Sequence, residues 1–343
     1  MTAHARPAMA ACFLTGVGTL ELREVAVPVA GPGEVLVRVS SVGICGSDIH
    51  FFKDGRVGSE VVTAPLVLGH ECAGRIVAVG EGVCANRVGE RVSLEPQKPC
   101  RHCRECKHGR YNLCPDVAFF GAPPVDGGMR EFVVLGSDFA HSIGPSISDD
   151  AAALIEPFSI GLAAMRKARP SGGEAVLIAG AGPIGIMTML AARALGAGRI
   201  TITDPSEKRR AMARDLGAPD VRAPSEWDQP AFDIFVDCSG NEAAVLAGID
   251  ALRPAGTAIL VGVGADRISI DPDIVRRREI VITGVFRSAN CWSDAIALIE
   301  RGAVDLDPLV SRRYPLVDCK AAFAAASGTD VMKVILDVGA EED

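Results

Sequence analysis

The segment Gly180-Ala181-Gly182-Pro183-Ile184-Gly185 constrains the fold of this chain more than any other. It has the spacing G-x-G-x-x-G. Alone, that spacing is weak evidence; its surroundings narrow it. An apolar run, Ala175–Ala179, reads as a strand before it, and Ile184–Leu195 reads as a helix after it. The next strand, Arg199–Thr203, leads into Asp204, nineteen positions after Gly185. Glycines so placed permit a tight turn and let the backbone approach a pyrophosphate. The helix N-terminus behind them offers free N–H groups and a positive dipole end to that anion. Gly180, Gly182, Pro183, Ile184 and Gly185 are therefore candidate dinucleotide contacts. A carboxylate at Asp204 can accept from a ribose 2′-hydroxyl and would repel a 2′-phosphate, which favours NAD over NADP. Arg209 could stack near the adenine or be an ordinary exposed helix charge.

The pattern after about Asp149 supports this frame. Ser206–Leu216 reads as a helix capped by Ser206, and Ile234–Val236, Ala258–Val261 and Ile280–Gly284 continue the strands. Such alternation predicts an α/β fold with a doubly wound parallel sheet. A helix at Ser293–Glu300, a helical Asp318–Ala326 and a strand at Met332–Asp337 complete the chain. The first third differs. It is rich in Val, Gly and Pro, and Glu34–Val39, Gly74–Val79 and Arg91–Leu94 read as short strands of a β-rich domain. At 343 residues, two domains are expected.

A net charge of −8, with no basic patch, argues against a nucleic-acid partner. The short clusters Arg101–Lys107 and Arg276–Arg278 read as solvated loops and faces. Ala175–Ala192 is uncharged and long enough to span a bilayer, but glycines and Pro183 interrupt it, so a strand, a turn and a helix fit better. No membrane role is expected. Residues Met1–Thr15 carry no secretory h-region, and the eleven cysteines are odd in number. Both point away from a disulfide framework and toward the cytoplasm.

Cys100, Cys103, Cys106 and Cys114 crowd into fifteen residues as C-x2-C-x2-C-x7-C. Four thiolates so spaced can close a tetrahedral shell round one zinc, a structural site with no open position. An iron–sulfur cluster is the rival reading, but the last gap is seven residues and no second cysteine run exists. Elsewhere, Gly43-Ile44-Cys45-Gly46-Ser47-Asp48-Ile49-His50, Gly69-His70-Glu71 and Ile155-Glu156-Pro157 supply a thiol, an imidazole and two carboxylates. A Cys/His/Glu set with a place left for substrate is what a catalytic zinc needs. Composition alone does not join these three segments.

Taken in order, GICGSDIHFFKDGRVG at Gly43–Gly58, PLVLGHECAG at Pro65–Gly74, the cysteine lobe, IEP and GAGPIG resemble the medium-chain, zinc-dependent alcohol dehydrogenases. The likeness covers nearly the whole chain. HFFKDGRVG, NLCPDVAFFGAPPVDG at Asn112–Gly127, Glu156 and GVFR at Gly284–Arg287 are similar to the sorbitol/xylitol, or polyol, dehydrogenase branch. The resemblance implies a GroES-like β-rich catalytic domain of residues 1–153 and 290–343, with an NAD-binding Rossmann domain of residues 154–289 inserted. It implies Cys45, His70 and Glu71 as ligands of a catalytic zinc, with Glu156 reaching it directly or through a water. Ser47 would stand beside the reacting hydroxyl, with His50 carrying its proton outward. Phe51, Phe119 and Arg287 would contact the substrate, in a cleft at the ends of the parallel strands.

The implied activity is oxidation of a secondary hydroxyl of a small polyol to a ketose, with NAD taking the hydride. Homotetramers are implied, with a homodimer as the alternative. Two positions depart from the branch. Phe51 stands where a tyrosine is usual, and Ser288 stands where a tyrosine usually follows the arginine matching Arg287. Competing readings are an L-idonate 5-dehydrogenase, a general secondary-alcohol dehydrogenase, and, more remotely, a non-catalytic nucleotide-binding relative. The last would typically lack the zinc ligands that this chain keeps.

Overall fold

A computed structural model describes residues 8–224, 231–264 and 267–339. The chain divides into two compact units. One comprises Met1–Glu156 with Asp305–Asp343, the other Pro157–Val304.

The first unit is built on β-structure. Strand Glu34–Gly43 buries Val35, Val37 and Val39 on one face, the period-two alternation of a strand with one face on the core. It pairs antiparallel with Glu71–Val79, Phe132–Gly136 and Lys333–Asp337 in a seven-stranded sheet. Ala8–Gly16, Thr19–Ala26 and Leu66–Val67 make a smaller antiparallel sheet. Their apolar sides, with Phe323 of helix Cys319–Ala326, form one core. The register of the larger sheet sets Gly43 opposite Glu71 on one side and Ile335 on the other.

The second unit holds six parallel strands. In space they run Val221–Arg222, Arg199–Thr203, Ala175–Ala179, Phe232–Asp237, Leu252–Leu260, Val281–Gly284. Chain order is therefore 3-2-1-4-5-6, the doubly wound arrangement, and it reverses between Ala175–Ala179 and Phe232–Asp237. Every residue of Ala175–Ala179 is buried, as for a central strand covered on both faces. Helix Pro183–Ala194 starts with proline in its first turn, where a missing N–H costs nothing. It buries every residue from Gly185 to Ala192. The uncharged Ala175–Ala192 stretch is thus a strand, a turn and a helix. No described helix is long and apolar enough to cross a membrane.

The return from the second unit to the first falls after Val304, later than position 290. Helix Trp292–Glu300 belongs to the second unit, and its Trp292, Ala295 and Leu298 are buried. Arg166 of helix Ile155–Ala168 also pairs with Asp294 and donates to Asn290 O.

Candidate metal centre and dinucleotide site

Cys45 stands at the N-terminus of helix Gly46–Asp54. Its backbone N–H donates to Asp48 Oδ2 at 2.9 Å, half of a capping box. The other oxygen of Asp48 accepts from Gly69 N at 3.2 Å and lies 3.7 Å from His70 Nδ1. One fully buried carboxylate therefore fixes both loops that carry Cys45 and His70. Gly69 has φ +92°, a conformation other residues rarely take, and a Cβ there would meet Met129 Cγ at 2.8 Å. That turn aims His70. Glu71 opens strand Glu71–Val79 directly opposite Gly43.

The result is convergence. A sulfur of Cys45, a ring nitrogen of His70 and a carboxylate oxygen of Glu71 lie within 4.8 Å of one another. Glu156 is outside this group, but it is buried and electrostatically coupled to His70 and Glu71. Burial pushes its carboxyl up to about 7, opposed by His70. His70 is itself driven well above the usual imidazole range. Burial alone would lower it, but the Cys45 sulfur and Asp48 outweigh that. Acidic groups here outnumber cationic ones, so a divalent cation would relieve the imbalance. A soft thiolate, an imidazole and a carboxylate form a ligand set suited to zinc with an open position.

The second constellation is the cysteine lobe. The sulfurs of Cys100, Cys103, Cys106 and Cys114 also lie within 4.8 Å of one another, with Cys100 and Cys106 at 4.0 Å. Four sulfurs tetrahedral about one zinc at about 2.3 Å would stand about 3.8 Å apart. Backbone N–H groups of Cys100, Cys103 and Cys106 each donate to a neighbouring sulfur at 3.4 Å. N–H groups of His102 and Cys103 aimed at its sulfur hold the Cys100 thiol down to about 6. The lobe is built for thiolates round a single ion, and these short separations do not leave room for a multi-iron cluster at its centre.

The third site belongs to the unit Pro157–Val304. Gly180, Gly182, Asp204 and Arg209 line a cavity of about 810 Å³ with Ser239 and Asn241. Each glycine has its own reason. Gly180 takes φ +105°, Gly182 faces open space, and a Cβ on Gly185 would meet Gly180 O at 1.9 Å. Asp204 accepts from Ala181 N at 2.9 Å and Ser206 N at 2.8 Å, so its carboxylate is held at the mouth of the glycine turn. Pro183, Ile184 and Gly185 form the turn and helix start rather than the cavity wall.

Ser47 is half-buried in the first turn after Cys45. His50 is exposed, its Nδ1 3.1 Å from Asp54 Oδ2. The Phe119 ring sits 5.5 Å from the His70 ring, tilted by 53°. Phe51 is buried in the apolar core, so a substrate role for it stands on the resemblance alone. Arg287 takes a left-handed φ of 54°, with its guanidinium 4.8 Å from the Phe286 ring centre. Ser288 is buried and bonded to Ser159 Oγ at 2.8 Å. Asp48 and Lys333 were not anticipated. Asp48 had a signal, an acid three residues after the capping Cys45. Lys333 had one too, a lone charge inside the apolar run Met332–Leu336.

Residues 31–145 match the family model described as the alcohol dehydrogenase GroES-like domain, and residues 183–301 that described as zinc-binding dehydrogenase. The chain is 37% identical to the sorbitol dehydrogenase of Macaca fascicularis over 348 aligned residues, covering 98% of each. It is 37% identical to an L-idonate 5-dehydrogenase of Vitis vinifera, covering 98% of this chain and 96% of that one. Among solved structures it resembles the L-idonate 5-dehydrogenase of Escherichia coli, with TM-score 0.90, 28% identity and coverage of 96% and 98%. The ordered ligand segments, the two domain matches and this end-to-end similarity place the chain in one family: it belongs to the zinc-dependent medium-chain alcohol dehydrogenases, in the branch of the polyol dehydrogenases.

Proposed function

We propose that this enzyme oxidises a secondary hydroxyl of a small polyol, adjacent to another hydroxyl, with NAD as hydride acceptor. The convergence of Cys45, His70 and Glu71 carries the reading. Cys45, His70 and Glu71 would hold the catalytic zinc, with Glu156 reaching it directly or through a water, and Cys100, Cys103, Cys106 and Cys114 would hold the structural one. Zinc in the first site supplies Lewis-acid activation of the hydroxyl. The protein does the rest. Asp204 and the Gly180–Gly185 turn orient the dinucleotide. Ser47 accepts the proton of the reacting hydroxyl as it passes its own on to the cofactor ribose, and exposed His50 delivers the proton to solvent. Phe119 packs beside His70 and limits water there. Phe51 and Arg287 complete the substrate residues, by the resemblance. NAD is preferred to NADP because of Asp204. We further propose a homotetramer, or failing that a homodimer, working in the cytoplasm, where free thiols persist.

The test is a rate panel of sorbitol, xylitol, galactitol, arabinitol, L-idonate and 2-butanol with NAD. A pocket that bonds a second hydroxyl rejects the analogue lacking it by orders of magnitude, whereas an apolar pocket discriminates weakly. At least one polyol should exceed 2-butanol in kcat/KM by a hundredfold or more on that principle. Equal turnover of 2-butanol and every polyol would remove the polyol assignment. L-idonate is the second reading, favoured by the similarity to the plant and bacterial L-idonate 5-dehydrogenases. It prevails if L-idonate outruns the neutral polyols.

A further inference from the structure

Lys333 opens strand Lys333–Asp337 and is only 3% exposed; among the described residues no other lysine or arginine is buried. Its ammonium donates to Glu71 Oε1 at 2.6 Å and to Ile44 O at 3.0 Å, and lies 2.5 Å from Glu71 Oε2. Ile44 immediately precedes Cys45, so one cation grips the backbone leading to one ligand and the carboxylate of another. The grip is built into the sheet. Ile44 N donates to Val334 O at 2.9 Å, and Ile335 faces Gly43, which in turn faces Glu71. Gly43 leaves the space the carboxylate occupies: a Cβ there would lie 2.1 Å from Glu71 Oε2. Glu71 and Asp48 are both fully buried, and Glu156 nearly so. A buried carboxylate without a partner is strongly destabilising, whereas a paired one is tolerated.

We propose that Lys333 is a positioning residue that serves as the metal centre's resident counter-ion. It holds Glu71 in its ligating place and balances its charge, so that the pocket is folded before a divalent cation enters. When the ion binds, it takes over that balance, and Lys333 matters less. This rests on the reading of Cys45, His70 and Glu71 as a metal site.

The experiment compares wild type and Lys333→Met in two preparations, with Lys333→Met/Glu71→Gln in the one-zinc preparation alone. In one, mild chelation leaves a single zinc per chain, on the cysteine lobe; the other carries two, and elemental analysis verifies both. The readout is the melting temperature by calorimetry. Lys333→Met should lower the melting point of the one-zinc protein by roughly 10 °C and that of the two-zinc protein by far less, so the gap widens. Removing the stranded carboxylate in the double variant should restore most of the one-zinc melting point. If Lys333→Met folds only when zinc is supplied, the proposal is also supported. Equal losses in both preparations, or a double variant no better than Lys333→Met, would overturn it, because lost packing alone would then suffice. A wild type that never takes up a second zinc would instead defeat the metal-site reading itself.

Discussion

Asp204 and Glu156 show how much a single carboxylate decides. Asp204 directly follows its strand, with its two oxygens accepting from backbone N–H groups of the glycine turn and of Ser206, the cap of the next helix, so it is fixed before any ligand arrives. A fixed negative charge there disfavours a 2′-phosphate. Asp204→Ala should narrow the NAD-to-NADP ratio of kcat/KM at least tenfold, and a wild type using both equally would contradict the assignment. Glu156 makes a prediction about pH. Burial raises its carboxyl from 4.5 to about 7, which favours the neutral form in the folded chain. The stability it contributes is therefore present below about 4.5 and is lost as pH rises toward and past 7. That shift corresponds to about 3 kcal/mol. His70, also raised, acts in the same direction. Metal-depleted protein should thus be harder to denature with urea at pH 5 than at pH 8, and Glu156→Gln should flatten most of the difference. Zinc should flatten it too, since a bound cation offsets the buried negative charge.

At the scale of elements, the strand–turn–helix Ala175–Ala194 is where local geometry is least forgiving. Helix Pro183–Ala194 can approach strand Ala175–Ala179 only because Gly185 has no side chain against Gly180 O. Gly185→Ala has no flexible neighbour to push aside, since the obstacle is backbone. It should weaken NAD binding by more than tenfold in a fluorescence titration while leaving zinc content unchanged, because both metal sets lie in the other unit. The cysteine lobe is the converse case. Its helix Arg104–Lys107 is four residues long and cannot be stable by itself. Its order depends on N–H···S bonds and on whatever ion the sulfurs hold. Cys103→Ser should therefore lower zinc from two to one per chain and leave the lobe open to proteolysis between Cys100 and Cys114.

For the whole molecule, the expected composition is two zinc ions per chain, one on four sulfurs and one on the mixed set. Elemental analysis with zinc added back checks this. One metal per chain, or iron with a visible absorption band, would refute it. The two ions should differ in lability. A closed shell of four thiolates exchanges slowly, whereas a site with an open position is reachable by chelators.

Much of the fold was legible in the chain itself. Strand and helix periods, the glycine turn, the Ser206 cap and the four-cysteine spacing are local features, and local features survive being read in one dimension. The strands Ala175–Ala179, Arg199–Thr203 and Arg91–Leu94 fall where periodicity put them. Helix Gly46–Asp54, which carries Ser47 and His50, went unread because only Asp48 and Phe51 are buried on it and its apolar face is too short to show a period. Convergence is a different matter. Cys45, His70 and Glu71 meet because antiparallel register sets Gly43 opposite Glu71 and a buried Asp48 ties their loops, and no spacing in the sequence encodes register. Lys333 comes from nearly three hundred residues away, on a strand returning after the entire second unit. The residue types were decided by the sequence; which charges share one pocket was decided only by strand pairing, because the cost of burying a charge depends on its neighbours in space and not along the chain.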